Sequence, residues 1–178
     1  MKARFGRLEQ AVIVRDALPA ELAEVGEIRV TAYQAGRHMS PDSGYAPVLR
    51  ALGEEGDGTV LVAVDGRRDG RILGTVMLQR WPEGGQVVAS RDEAEIRALA
   101  VSPEGQGRGT GRALLRAAIE RAKQEGVRHL VLLTQPDMRA AQHLYHQAGF
   151  GRLPDRDWSP RPGVTLLAYG LPLADERY

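Results

Sequence analysis

The 178-residue sequence predicts an α/β fold, a mixed and mostly antiparallel sheet of six to seven strands with about four helices packed on it. Three observations carry that expectation. The run "GTVLVAVDGRRDGRILGTVMLQRW" reads as a hairpin, two β-rich segments around a turn holding Asp65-Gly66 and Asp69-Gly70. Several segments show apolar residues at helical spacing. The strands are bunched together along the chain, so they do not alternate regularly with helices as a doubly wound sheet requires.

In chain order, "VIVRDAL" alternates and stops at Pro19, which suits a first strand. A helix follows, with Leu22, Val25, Ile28, Arg29 and Ala32 near one face and Pro19 close to its start. "YAPVLRALG" is a short second helix closed by Gly53, and the hairpin comes next, ended by Pro82. "EAEIRALAVSP" is a strand with Ile96, Ala98 and Ala100 on one side and Glu95, Arg97, Leu99 and Val101 on the other. A helix running to about Glu125 buries Leu114, Leu115, Ala118, Ile119 and Ala122. "VRHLVLLT" has the length and unbroken apolarity of a central strand. The last helix is "PDMRAAQHLYHQAGF", with Asp137 as N-cap, Ala141, Leu144, Tyr145 and Ala148 inward and Gly149 as its stop. "GVTLLAYGLPL" is a final strand, and Phe150 to Trp158 has room for one more short one.

Length and even composition favour a single domain over residues 1–178. The absence of cysteine excludes a thiolate nucleophile, a cysteine zinc site and a disulfide framework, and it fits a reducing compartment. The longest apolar runs, such as "LVLL" at Leu130 to Leu133, fall far short of the ~18 residues of a membrane helix. "MKARFGRLEQ" leads into no apolar signal core, so the expectation is a cytoplasmic protein with no membrane partner. A net charge of +1 gives no field that would recruit nucleic acid.

The chemistry-bearing stretch is "PEGQGRGTGRALL", glycines alternating with polar residues at the start of a helix. A Walker loop needs two glycines five apart followed by Lys and Ser or Thr; Gly107 has no glycine at 112 and no lysine is near. The dinucleotide fingerprint fails too, because Thr110 and Arg112 stand where its third glycine belongs. What remains is a strand, a Pro-Glu turn and Gln106-x-x-Gly109-x-Gly111 entering a helix. Bare amides there, with the positive end of the helix, suit a pyrophosphate, or form a plain flexible connection. Gly107, Gly109 and Gly111 would keep the amides bare, and Gly105 would serve the turn.

In motif order and spacing, Q-x-x-G-x-G after "EIRALAV", followed by "LVLLT" and "AAQHLYHQAGF", resembles the GCN5-related N-acetyltransferase (GNAT) family over about Glu95 to Phe150. The resemblance implies a GNAT-type fold whose central strands splay apart, with acetyl-CoA as cosubstrate and no metal. It implies that Gln106, Gly107, Arg108, Gly109, Thr110 and Gly111 form the pyrophosphate loop. Leu99, Ala100 and Val101 become the edge that pairs with the pantetheine arm. Met138 stands where the family often has an asparagine.

By the same resemblance Glu95 is a general base, directly or through water, and Tyr145 the acid that protonates the departing thiolate. A free alkyl ammonium has a pKa of about 10 and needs help losing its proton. Each residue also has a plainer reading: Glu95 as a solvated strand residue or ion-pair partner, Tyr145 as a core aromatic. His143 and His146 lack a third ligand and read as solvated residues, and His38 and His129 have less context still.

The expected function is direct transfer from acetyl-CoA to a primary amine, on a small molecule or a peptide. The alternative is a coenzyme A-binding module without catalysis, and a homodimer stays open. For the acceptor, Asp155, Asp157 and Trp158 would meet a cationic amine or, for Trp158, cover a core edge, with Tyr33 or Tyr45 walling the other side.

Overall fold

The computed structural model describes residues 11–67, 70–83, 85 and 87–173. Asp69 of the expected turn and the "MKARFGRLEQ" segment lie outside those residues. In chain order the elements are β1 (Val12–Asp16), α1 (Leu22–Ala35), α2 (Ala46–Ala51), β2 (Thr59–Asp65), β3 (Ile72–Arg80), β4 (Glu93–Val101) and α3 (Thr110–Gln124). They continue with β5 (His129–Thr134), α4 (Arg139–Gln147), β6 (Gly151–Arg152), β7 (Trp158–Arg161) and β8 (Val164–Pro172).

The strands form one eight-stranded sheet in the order β1-β2-β3-β4-β5-β8-β6, with β7 paired to β8. Only β4 and β5 run parallel; the other pairings are antiparallel. The space left between Phe150 and Trp158 holds a two-residue strand, β6, and the start of β7.

Both faces of the sheet are covered, and the two-residue pleat of β2 shows how. Leu61 and Ala63 point to a core shared with Leu114, Leu115 and Ala118 of α3. Val60, Val62 and Val64 point to a second core with Val25 and Val30 of α1 and Leu49 of α2. That double burial explains why "TVLVAV" is apolar without alternation, although its neighbours are antiparallel.

The short α2 ends on a side chain. Arg29 of α1, fully buried, donates Nη1 to the carbonyls of Leu49 (3.1 Å) and Leu52 (2.7 Å), covering the orphan acceptors of the helix end. Asp137 does not cap α4. The turn from Gln135 to Met138 uses one more residue before the helix, so Met138 takes the N-cap position and the Asp137 carboxylate lies 3.3 Å from His38 Nδ1. Gly149 follows the helix at φ 96°, as expected of its stop.

Candidate active site

The site begins with a fault in β4. Between the pairs Met77–Arg97 and Thr75–Ala100, β4 spends one residue more than β3, and Ala98 takes φ 50°. This bulge shifts the phase of every later side chain. The expected alternation through Val101 therefore fails: Leu99 and Val101 join the α3-side core with Ala94 and Ile96, and Ala98 turns to the α1 side. The parallel pairing with β5 ends at Ile96–Leu132, although β4 runs on to Val101 and β5 to Thr134. From Arg97 onward β4 keeps β3 on one edge and has no β5 partner on the other, so the strands part.

The glycine loop follows β4 directly. Gly107 and Gly109 sit at φ 71° and 73°, where a side chain is costly, and no heavy atom lies within 4 Å of the place a Cβ would take. Both are exposed, next to the first turn of α3. The rest of the loop is tied down. Thr110 donates Oγ1 to the Gly105 carbonyl at 2.7 Å, Gly105 N–H bonds to Ser102, and Arg108 Nη2 lies 3.1 Å from Asp65 Oδ2. Two glycines have other work than expected. A Cβ on Gly105 would run into the Leu73 carbonyl oxygen, so this turn residue also permits a close approach to β3; one on Gly111 would meet Leu144 Cδ1 at 3.0 Å, so its bareness lets α4 pack against α3.

Where β4 and β5 part, a cavity of about 350 Å³ opens between the α1–α2 connection, β4, the end of β5 and the β7–β8 hairpin. Glu95 lines it, 2% exposed, with Oε1 4.0 Å from Arg97 Nε. Tyr33, Tyr45 and Trp158 are also in its walls, as expected of an acceptor region. Asp155 and Asp157 are not: Asp157 is held by Arg152 through both oxygens (2.7 and 2.8 Å) and accepts from the Ala168 amide. Met138 lines the cavity where the asparagine was sought, its sulfur 3.7 Å from Thr134 Oγ1.

Tyr145 lies behind this wall in the α3-side core, its ring against Phe150 (5.8 Å between centroids) and Tyr169 (6.3 Å). Burial pushes its phenol well above the ordinary value, so it holds its proton. Tyr33 is raised for the same first reason, burial, and further by the phenols of Tyr45 and Tyr145. Among the described residues no group of three or more His, Asp or Glu side chains is arranged to hold a metal, and no helix is long and apolar enough to cross a membrane.

A family model described as the acetyltransferase (GNAT) family matches residues 22–150, more than half of the chain. The chain belongs to the GNAT acetyltransferases. The mycothiol acetyltransferase of Cellulomonas flavigena is 34% identical over 109 residues, covering 60% of this GNAT chain and 31% of that protein. The chain spans between 26% and 53% of the length of the mycothiol acetyltransferases it matches. A GNAT-family acetyltransferase from Staphylococcus aureus has the same fold, with a TM-score of 0.72 at 18% identity, covering 92% of this chain and all of that one. So does an acetyltransferase from Salmonella typhimurium solved with acetyl-CoA, at TM-score 0.65 and 22% identity over 94% of this chain and 97% of that one.

Reading the sequence alone passed over two charged wall residues of this GNAT cavity, Arg97 and Arg161. Arg97 had a signal: it stands two residues from Glu95 on one strand, hence on the same face. Arg161 had none, because it reaches the cavity only through the return of the β7–β8 hairpin.

Proposed function

We propose that the protein transfers the acetyl group of acetyl-CoA directly to the primary amine of a small molecule or peptide, both substrates being bound together. The observation that carries this reading is the Glu95 carboxylate in a cavity that opens where β4 loses its β5 partner, one strand-length from a bare glycine loop, in a GNAT chain.

The residues fit the cosubstrate. The open space around Gly107 and Gly109 leaves their amides accessible, and the unpaired edge of β4 can take an extended chain. Acetyl-CoA, when bound, supplies a thioester carbonyl activated toward amines. The backbone from Gln106 to Gly111 holds the pyrophosphate, with the positive end of α3 behind it. Arg108 and Thr110 serve that loop by holding its shape, since their side chains are spent on Asp65 and on the Gly105 carbonyl. Leu99, Ala100 and Val101 offer backbone groups to the pantetheine arm.

An amine reaches the cavity mostly as ammonium, and Glu95 removes a proton from it, directly or through a water, freeing the nitrogen lone pair. The nitrogen–carbon bond then forms, the acylated nitrogen gives its second proton to water, and the carbon–sulfur bond breaks, leaving a neutral amide and a thiolate. Tyr145, protonated at rest, gives its proton to the sulfur and recovers one from solvent. Transfer within one bound pair of substrates needs no protein nucleophile, consistent with a chain that has no cysteine.

The name of the curated relatives supports acetyl transfer; the part of their length that matches does not identify the acceptor. The test is thiol release from acetyl-CoA across a panel of amino acids, polyamines, aminoglycosides and peptides, with mass spectrometry of the products. N-acetylated product at catalytic rates is the expected result. Failure of the protein to bind acetyl-CoA would overturn the reading.

A further inference from the structure

We propose that the acceptor is a small α-amino acid with an apolar or aromatic side chain, its carboxylate held by Arg97 and Arg161. The inference rests on the acetyl-transfer reading of the same cavity and narrows it to a substrate class.

The charge of the cavity wall comes first. Its formally charged members are Glu95, Arg97 and Arg161, and the two aspartates that would have favoured a cationic acceptor are elsewhere. Arg161 makes no ion pair among the described residues and stands exposed on β7. With Glu95 assigned to the amine, the positive charge of two guanidiniums, Arg97 and Arg161, is left without a counter-charge in the wall. A diamine or polyamine would meet that charge unfavourably, and an anionic group would be attracted to it.

Arg97 is also held ready. Its Nη1 donates to Gln79 Oε1 at 2.8 Å, while Gln79 Nε2 donates to the Asp57 carbonyl (3.2 Å) and carboxylate (3.0 Å). Because a guanidinium only donates and a carboxylate only accepts, this order fixes which way the buried Gln79 amide faces. Gln79 occupies one of five guanidinium donors, and Glu95 at 4.0 Å is beyond hydrogen-bonding reach. The remaining donors of a planar fork suit a carboxylate. Behind the wall, buried Arg29 has Nε and Nη2 without hydrogen-bond partners and keeps its charge at neutral pH, its pKa lowered by burial to about 10.

Glu95 and Arg97 are neighbours on one strand face, so the group that meets the base and the group that meets the guanidinium must be close together on the acceptor. An amine and a carboxylate on one carbon have that spacing. Tyr45, Trp158, Leu133 and Leu166 supply the surface for the side chain, and a cavity of about 350 Å³ that also admits the acyl end of the cosubstrate suits a small acceptor.

The test uses the full chain with acetyl-CoA and matched sets of acceptors: phenylalanine, phenylalaninamide and phenethylamine, then leucine, leucinamide and isopentylamine. We expect kcat/KM for each acid to exceed that for its amide by about tenfold or more, the worth of a charge-assisted hydrogen bond. R97Q and R161Q should each bring the acid-to-amide ratio toward one. Arg161 is at the rim, so R161Q keeps the test alive if R97Q disturbs folding through Gln79. Equal or better use of amides or plain amines overturns the inference and leaves acetyl transfer standing. A protein that binds acetyl-CoA and acetylates none of the acids overturns the inference as well. Loss of acetyl-CoA binding itself would remove the reading beneath it as well.

Discussion

Arg108 of the glycine loop and Asp65 at the end of β2 are joined 3.1 Å apart, with only 16% and 12% of their side chains exposed. Two segments 43 residues apart in sequence are tied there, so the shape of the loop depends on the β2–β3 turn. Arg108 Nε is buried without a partner, which makes Asp65 the more costly to lose. D65N should raise the dissociation constant for acetyl-CoA about tenfold, equivalent to about 1.4 kcal/mol of lost preorganisation, and leave the pH profile of kcat unchanged. Calorimetric titration with coenzyme A checks this; affinity equal to the parent protein would show that the loop keeps its shape unaided.

Glu95 lies in the cavity wall and is almost wholly removed from solvent. If it takes the ammonium proton, E95Q should lower kcat by about a hundredfold or more at neutral pH, and the deficit should shrink as pH rises toward the amine pKa of about 10, since amine already deprotonated in bulk becomes the only reactive form. An amide in place of the carboxylate is nearly isosteric, so acetyl-CoA binding should persist. A pH profile parallel to that of the parent enzyme would remove Glu95 from proton transfer.

Much of the fold was legible because its signals are local. The period of α3, the hairpin of β2 and β3 and the glycine stop of α4 are written in neighbouring residues. The bulge at Ala98 was not, since an alanine at positive φ carries no sequence mark and the inserted residue is defined only by pairing with β3. Asp157 was misread for a related reason. Its use is decided by Arg152 and by the Ala168 amide on β8, and nothing in "RLPDRDWSPR" says which of its three arginines will pair with Asp157. The position of Glu95 on β4 and of the glycines ahead of α3 was legible through the spacing of motifs. The placing of Arg97 beside them needed only the strand parity that the same stretch supplies.

Tyr145 carries a packing role and a proposed proton-donating role, and Y145F separates them. The substituted ring keeps its contacts with Phe150 and Tyr169, so melting temperature should change little. Loss of the donor should lower kcat by roughly ten- to a hundredfold. Burial raises the phenol pKa, so the donor form persists through neutral and mildly alkaline solution, and this group should produce no falling limb in the parent profile below about pH 10. Full activity in Y145F would leave the residue as a core aromatic only.

The start of β4 is anchored by a pair that should register in acid stability. Arg156 grips both oxygens of Glu93 (2.7 and 2.8 Å), while Glu93 also accepts from the Ala89 amide and faces His129 Nδ1 at 3.1 Å. Chiefly through the Arg156 hydrogen bonds, its pKa falls from 4.5 to about 2, against the cost of burial. A depressed carboxyl pKa means that the unfolded chain binds the proton first. The contribution is complete above about pH 4.5 and drains away as pH falls toward 2, amounting to roughly 2–3 kcal/mol. E93Q should be less stable than the parent at pH 6, and the gap between the two should close between pH 4.5 and 2.5, read from urea midpoints at constant ionic strength. A constant gap over that range would mean that the Arg156 grip contributes packing and no charge-dependent stability.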